Sequence, residues 1–142
     1  MAIDKTFSIE IVSPERKVFG GEAQFAVFPG AEGEFGILPN HAPLLSLLAP
    51  GEIRIVENKM SQSFAISGGF AEVSANKVTV AAETCEPAAE IDKDQALAAK
   101  NAASDELQKA TSPAFAAQAR LKLKIAEVRL AVAGKSAGAN PK

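Results

Sequence analysis

Histidine and cysteine each occur once in this 142-residue chain, as His41 and Cys85. Apart from hydroxyls and carboxylates they are the only conventional nucleophile or base candidates, and neither stands in a nucleophile–base pattern. His41 lies within Leu38-Pro-Asn-His-Ala-Pro43, where prolines stiffen a loop and suit a fixed surface contact better than a moving proton donor. Cys85 follows a strand-like run with Glu83 and Glu86 close by, and their charge disfavours a thiolate, so it reads as inert. One cysteine and one histidine exclude a disulfide framework and a Cys/His zinc site by count, and fit a reducing compartment. No catalytic residue and no metal-ligand set is assigned.

Two other segments invite a chemical reading. Gly30-Ala-Glu-Gly33-Glu-Phe-Gly36 is glycine-rich, but no helix pattern follows it and its two glutamates would repel phosphate, so it reads as a turn or bulge rather than a nucleotide cradle. Near the C-terminus, Arg120, Lys122, Lys124, Arg129, Lys135 and Lys142 are set against Glu127 alone, a local surplus of five positive charges that leaves the preceding residues at −7. A basic segment on an acidic body suits an acidic partner surface.

The elements that must position these residues fall into two parts. From Thr6 to about Ala82 apolar residues recur mostly at every second position: Phe7, Ile9 and Ile11; Phe25 and Val27; Ile53 and Ile55; Phe64 and Ile66; Val78 and Val80. This is strand periodicity. Turn chemistry at Gly20-Gly21, Pro29-Gly30, Pro39-Asn40, Pro50-Gly51, Asn58-Lys59, Ser67-Gly68-Gly69 and Ala75-Asn76 cuts the runs short. Many short strands without intervening helices predict an antiparallel β-sandwich over residues 1–86.

After Pro87 the composition shifts to alanine with lysine, glutamine and glutamate, strong helix formers. Asp92 with Gln95, and Ser112 followed by Pro113, mark two helix starts, so residues 87–134 read as an antiparallel two-helix hairpin ending near Gly134. Residues 135–142 read as a flexible tail. Ala96, Ala99, Ala103, Leu107 and Ala110 give the first helix a stripe of small side chains, which buries little area and predicts marginal stability. In the second helix Leu121, Ile125, Val128 and Val132 form one stripe, with Leu123 and Leu130 nearly opposite.

Composition narrows the function classes. Hydrophobic residues make up 47% and charged residues 23%, as in a folded globular protein. A net charge of −2 argues against nucleic-acid binding, which needs a basic surplus. The longest apolar run, 42–50, falls far short of the roughly 20 residues that span a bilayer, so no membrane span is expected. The first residues show neither a secretion-signal nor a transit-peptide pattern.

The run Phe28-Pro-Gly-Ala-Glu-Gly-Glu-Phe-Gly-Ile-Leu-Pro-Asn-His-Ala-Pro-Leu-Leu45, with Pro50-Gly-Glu-Ile-Arg-Ile55 and Ser67-Gly-Gly-Phe70, resembles the epsilon subunits of bacterial rotary ATP synthases. The resemblance implies a non-catalytic rotor subunit, peripheral on the cytoplasmic face of the bacterial inner membrane. Its implied partners are the gamma subunit, the c-ring and, in an extended state of the hairpin, the catalytic alpha/beta head. It implies c-ring or stalk contacts at Gly30, Ala31, Glu32, Gly33, Glu34 and His41, with the loop from Gly30 to His41 at one end of the sandwich. It implies regulatory contacts to the head through Arg120, Lys122, Lys124 and Arg129. Some family members bind ATP at the hairpin through an Ile/Leu-Asp-x-x-Arg-Ala motif. This chain reads Ile91-Asp-Lys-Asp-Gln-Ala96, so Asp92 matches while Gln95 replaces the arginine. With Glu86 and Arg129 as the other candidate nucleotide contacts, no bound cofactor is expected, because a neutral amide lacks the charged fork that suits phosphate. The alternative reading is a free-standing β-sandwich that binds a small ligand under a helical lid.

Overall fold

The computed structural model describes residues 5–135 and the backbone of Gly138–Ala139. Ten strands come first: β1 (Phe7–Val12), β2 (Lys17–Ala23), β3 (Phe25–Gly30), β4 (Gly33–Ile37), β5 (Leu44–Leu48), β6 (Gly51–Glu57), β7 (Met60–Ile66), β8 (Gly69–Ser74), β9 (Lys77–Ala82) and β10 (Cys85–Pro87). A 3₁₀ turn (Ala88–Glu90) leads to α1 (Lys93–Lys109) and α2 (Pro113–Ala133), and Gly138–Ala139 form a short β11. The sheet runs β10-β7-β6-β3-β5-β8-β9-β1-β2, with β4 beside β3 and β11 beside β7. The pairs are antiparallel except β1 with β9, which run parallel. That exception needs no crossover helix, because the seven intervening strands carry the chain back to β1.

Alternation builds the core. Phe7, Ile9 and Ile11 of β1, Ile53 and Ile55 of β6, and Val78 and Val80 of β9 are buried while their neighbours are not. Phe19 of β2 meets Phe64 of β7 edge to face at 5.5 Å, linking the last strand of the sheet path to the layer opposite. In β3 the sequence is apolar on both faces, and the core takes Ala26 and Phe28 while Phe25 and Val27 stay half-covered. Two hairpin turns use left-handed backbone without glycine, Asn58-Lys59 (φ 53° and 66°) and Ala75-Asn76 (φ 52° and 59°), as two-residue turns between twisted strands require. At Gly69 (φ 148°) a β-carbon would stand 2.1 Å from the Ala81 carbonyl oxygen, so this start of β8 admits only glycine.

Both helix starts form as the sequence implies. Asp92 accepts from the Gln95 amide at 3.0 Å, and Ser112 accepts from the Phe115 amide at 3.2 Å with Pro113 in the first turn. The buried positions of α1 fall within its expected stripe, whereas α2 keeps only Val132 of its expected stripe buried. Ala96 and Ala103 of α1 are buried, as are Ala119, Ala126 and Val132 of α2, whereas Leu121 is 51% exposed and Ile125 and Val128 only half-buried. Small side chains set the approach of the two helices, and the larger α2 residues are left on its flanks. A groove of about 310 Å³ remains between the helices, lined by Ala99, Ala102, Ala103 and Ile125. Of the expected tail, Lys135 donates to Glu52 at 2.7 Å and Gly138–Ala139 pair with Ser61 and Met60 of β7, while 136–137 and 140–142 lie outside the described residues.

Candidate functional site

The two conventional catalytic candidates sit in different surroundings. Cys85 is 9% exposed, and burial pushes its thiol up to about 12, with Glu86 and Glu90 adding to the shift and Arg16 opposing it. Burial, more than the neighbouring acids, makes it inert. His41 is half-buried, with Nδ1 2.7 Å from the Ala42 carbonyl oxygen. Among the described residues no group of three His, Cys, Asp or Glu side chains could hold a metal ion, and no helix is long and apolar enough to cross a membrane.

The glycine-rich segment is a tight hairpin. Gly30 pairs with Gly33, leaving Ala31 and Glu32 as a two-residue loop closed by Gly33 at φ 131°. Ala31, Glu32, Gly33 and Glu34 are all exposed there. His41 does not join them. Gly30 pairs with Leu48 at one end of β5, whereas His41 precedes Leu44, which pairs with Val73 at the other end. At about 3.4 Å per residue, the four steps from Leu44 to Leu48 already separate the two ends by roughly 14 Å. The Gly30–His41 segment therefore spans the sandwich, and the expectation of one end for all of it is corrected. At the His41 end the Asn40 amide donates to the Asn76 side chain at 2.7 Å, and Asn76 donates to the Thr6 carbonyl at 3.0 Å, tying three loops together.

Between these ends lies a surface that periodicity alone did not single out. Leu45 and Leu47 of β5 and Phe70 of β8 are 71%, 58% and 51% exposed. The register carries the row onward from Leu47 through Phe70 and Ala81 to Val12, beside a shallow cavity of about 400 Å³. An exposed apolar row on a well-packed sheet marks a contact surface. The signal was present in the sequence as Leu44-Leu-Ser-Leu-Leu48, apolar on both faces of one short strand.

The joint between sandwich and hairpin brings the remaining candidates together. Arg129 of α2 places Nε 2.7 Å from Glu86 Oε1 and Nη2 3.2 Å from Glu86 Oε2, a two-pronged pair to β10. The same Nη2 donates to the Gln95 side-chain oxygen of α1 at 2.8 Å. Asp92 is occupied as a helix cap. Arg120 and Lys124 are exposed on α2, and Lys122 is exposed but bonded to Glu106 at 3.1 Å, so Arg129 is the one member of that basic set turned into the joint. Arg16 and Glu90, 2.8 Å apart, complete the joint, and their separation of 74 positions left no sequence signal. The adjoining cavity of about 560 Å³ is lined by Glu15, Glu83, Glu86 and Glu90 against Arg16 and Arg129, both already paired. Its carboxylates outnumber its guanidinium groups four to two.

Residues 6–88 match the family model described as ATP synthase, Delta/Epsilon chain, beta-sandwich domain. The ATP synthase epsilon chain of Desulfitobacterium hafniense (strain Y51) is 53% identical over 102 residues, covering 72% of this chain and 77% of that one. The chain belongs to the ATP synthase delta/epsilon family. The epsilon chain of Nitratidesulfovibrio vulgaris (strain DP4) is 42% identical over 132 residues, 93% of this chain and 98% of that one, so the likeness to epsilon chains extends through the helices. A chain of the Euglena gracilis mitochondrial ATP synthase OSCP/F1/c-ring structure superposes with a TM-score of 0.81 at 25% identity, covering 92% of this chain and 83% of that one. A chain of the Tetrahymena thermophila central stalk/c-ring structure shares the fold, with a TM-score of 0.66 at 16% identity over 94% and 99% of the two chains. As an epsilon-type chain, the protein is a structural stalk subunit of the synthase and not its catalytic one.

Proposed function

We propose that this chain is the central-stalk subunit that seats on the gamma subunit and the c-ring at the cytoplasmic face of a bacterial plasma membrane, supports coupling of proton flow to ATP synthesis, and restrains ATP hydrolysis when its hairpin extends into the alpha/beta head. The observation that carries the reading is the contrast between two cores. Among the described residues eighteen buried side chains form the interior of the sandwich, whereas the buried apolar contact between hairpin and sandwich is a separate cluster of Ala65, Ala88, Ile91 and Val132, with Val128 and Ala133 at the margin. A close-packed sandwich deforms little and suits torque transmission. A hairpin held by a four-residue cluster is separable from it, and suits a regulatory arm whose position partner contacts can shift. The exposed row of Leu45, Leu47 and Phe70 supplies the apolar seat for gamma, and the Ala31–Glu34 turn supplies a polar tip for the ring loops. ATP has no part in this reading, because Gln95 and the paired arginines offer phosphate no free cation. No observation favours a free-standing ligand-binding module.

The test is purification of the tagged chain from its native membrane, followed by crosslinking from single cysteines at Ala31 and at His41. Recovery with gamma and c-ring subunits, and crosslinking to ring loops from position 31 but not from 41, is the expected outcome. A chain recovered alone, or ring crosslinks from both positions, would overturn the assignment or the placement respectively.

A further inference from the structure

Among the described residues Arg129 is the side chain that bonds to both other elements of the joint, β10 through Glu86 and the first turn of α1 through Gln95. Its side chain is 16% exposed and that of Glu86 is 34% exposed, so the pair is largely withdrawn from water and its hydrogen bonds are charge-assisted. The apolar cluster underneath is small, and three of its four buried members are Ala65, Ala88 and Ile91, whose combined area is modest. Polar contacts therefore carry an unusually large share of the free energy that holds the hairpin down. Along the helix, Lys135 to Glu52 adds a second tie six positions beyond Arg129, but at an exposed lysine, where ion pairs contribute little.

We infer that Glu86, Arg129 and Gln95 form a self-contained clasp that docks the hairpin without any ligand, making protein groups the partners that a bound anion would otherwise give Arg129. Gln95 is the specific element. Its amide oxygen accepts from Nη2 while its backbone amide is capped by Asp92, so one residue joins the start of α1 to the clasp. An arginine at this position would place a second cation against Arg129 and open the clasp. Docking in this chain is consequently set by ionic strength and by residue 95, and nucleotide does not shift it. The clasp belongs to the isolated chain. Only its consequence, that α2 reaches a partner after the clasp opens, rests on the function proposed above.

The experiment uses the full-length chain with fluorophores on cysteines introduced at Glu72 and Lys109, both exposed, while buried Cys85 stays unlabelled in the native protein. Energy transfer reports the ratio of undocked to docked hairpin in 50 mM to 1 M salt, with and without 2 mM MgATP. Arg129→Gln and Glu86→Gln should each raise that ratio about tenfold or more, the double variant should exceed neither single variant by much, and Gln95→Ala should raise it roughly threefold. Salt should raise the ratio in the parent and have little effect in Arg129→Gln, and ATP should leave the parent unchanged. Gln95→Ala lies at an exposed helix position and reads out the clasp even if the charge variants unfold. An unchanged ratio in Gln95→Ala together with salt-insensitive docking of the parent would overturn the clasp. So would ATP driving the parent toward the docked state. Because no partner subunit is present, failure here is distinguishable from failure to co-purify with the synthase.

Discussion

Leu47 on β5 stands directly across from Phe70 on β8, and both side chains point away from the core with more than half their surface in water. A cross-strand apolar pair of this size does little for the isolated sheet while exposed. Replacing both with glutamate should leave the melting temperature of the isolated chain within a few degrees, because each residue lies outside the core. The same double variant should lose co-purification with the stalk. Retained assembly at wild-type yield would move the gamma seat to another face.

Ala75 occupies left-handed backbone at φ 52° in the β8–β9 turn. That conformation costs a β-carbon-bearing residue about 1–2 kcal/mol, while glycine costs about 0.4–1 kcal/mol through the flexibility it adds to the unfolded chain. Ala75→Gly should therefore stabilise the chain by about 0.5–1 kcal/mol in urea denaturation. A destabilised variant would contradict the strain.

Cys85 has a thiol raised from 9.0 to about 12 by burial. Below pH 9 the thiol is protonated in both folded and unfolded chains and makes no difference to stability. Between pH 9 and about 12 the unfolded chain releases the proton while the folded chain keeps it, so stability falls with rising pH at about 1.4 kcal/mol per unit. The steepness should disappear in Cys85→Ala, and the native thiol should resist alkylation at pH 8. Equal pH slopes in the two chains would refute the burial argument.

Arg120 and Lys124 are exposed on α2 and form no ion pair among the described residues, and Lys122 is bonded to Glu106 on the neighbouring helix. Exposed charges contribute about 0–1 kcal/mol each, so under the proposed restraint of hydrolysis, changing all three to alanine should raise the ATPase rate roughly two- to tenfold in a reconstituted head with gamma. Added salt should relieve the parent and not the variant. Identical rates at verified equal binding would assign inhibition to contacts other than charge.

What could be read from the chain follows the range of the interactions. Strand alternation in β1 and β9 and the caps at Asp92 and Ser112 are local, and local pattern identified them. In β3 the alternation read on Phe25 and Val27 named the face that stays half-covered, because Phe25, Ala26, Val27 and Phe28 are apolar on both faces and only packing against the opposite layer selects Ala26 and Phe28. In α2 the larger residues suggested the buried stripe, whereas close helix approach favours Ala119 and Ala126. Gln95 was legible as the absence of a guanidinium at a family motif, but its bond to Arg129, 34 positions away, depends on the hairpin folding back. The distance between the Ala31 turn and His41 likewise required the register of β5, since ten positions of sequence do not reveal on which side of a strand a loop emerges.

The parallel pairing of β1 with β9 also dictates an order of events on the ribosome. Ser8 pairs with Lys77 and Val12 with Ala81, so the first strand synthesised waits for the ninth before its second edge is covered. Until then a nascent chain holds β1 only through β2, with one hydrogen-bonding edge open to intermolecular pairing. Closing so long a loop is entropically costly and slows formation of the complete sandwich. Before residue 77 has emerged the nascent chain presents this open edge, whereas once β10 has emerged the strands β1–β10 are all available to pair. The helices, last to emerge, then find a finished surface on which to dock.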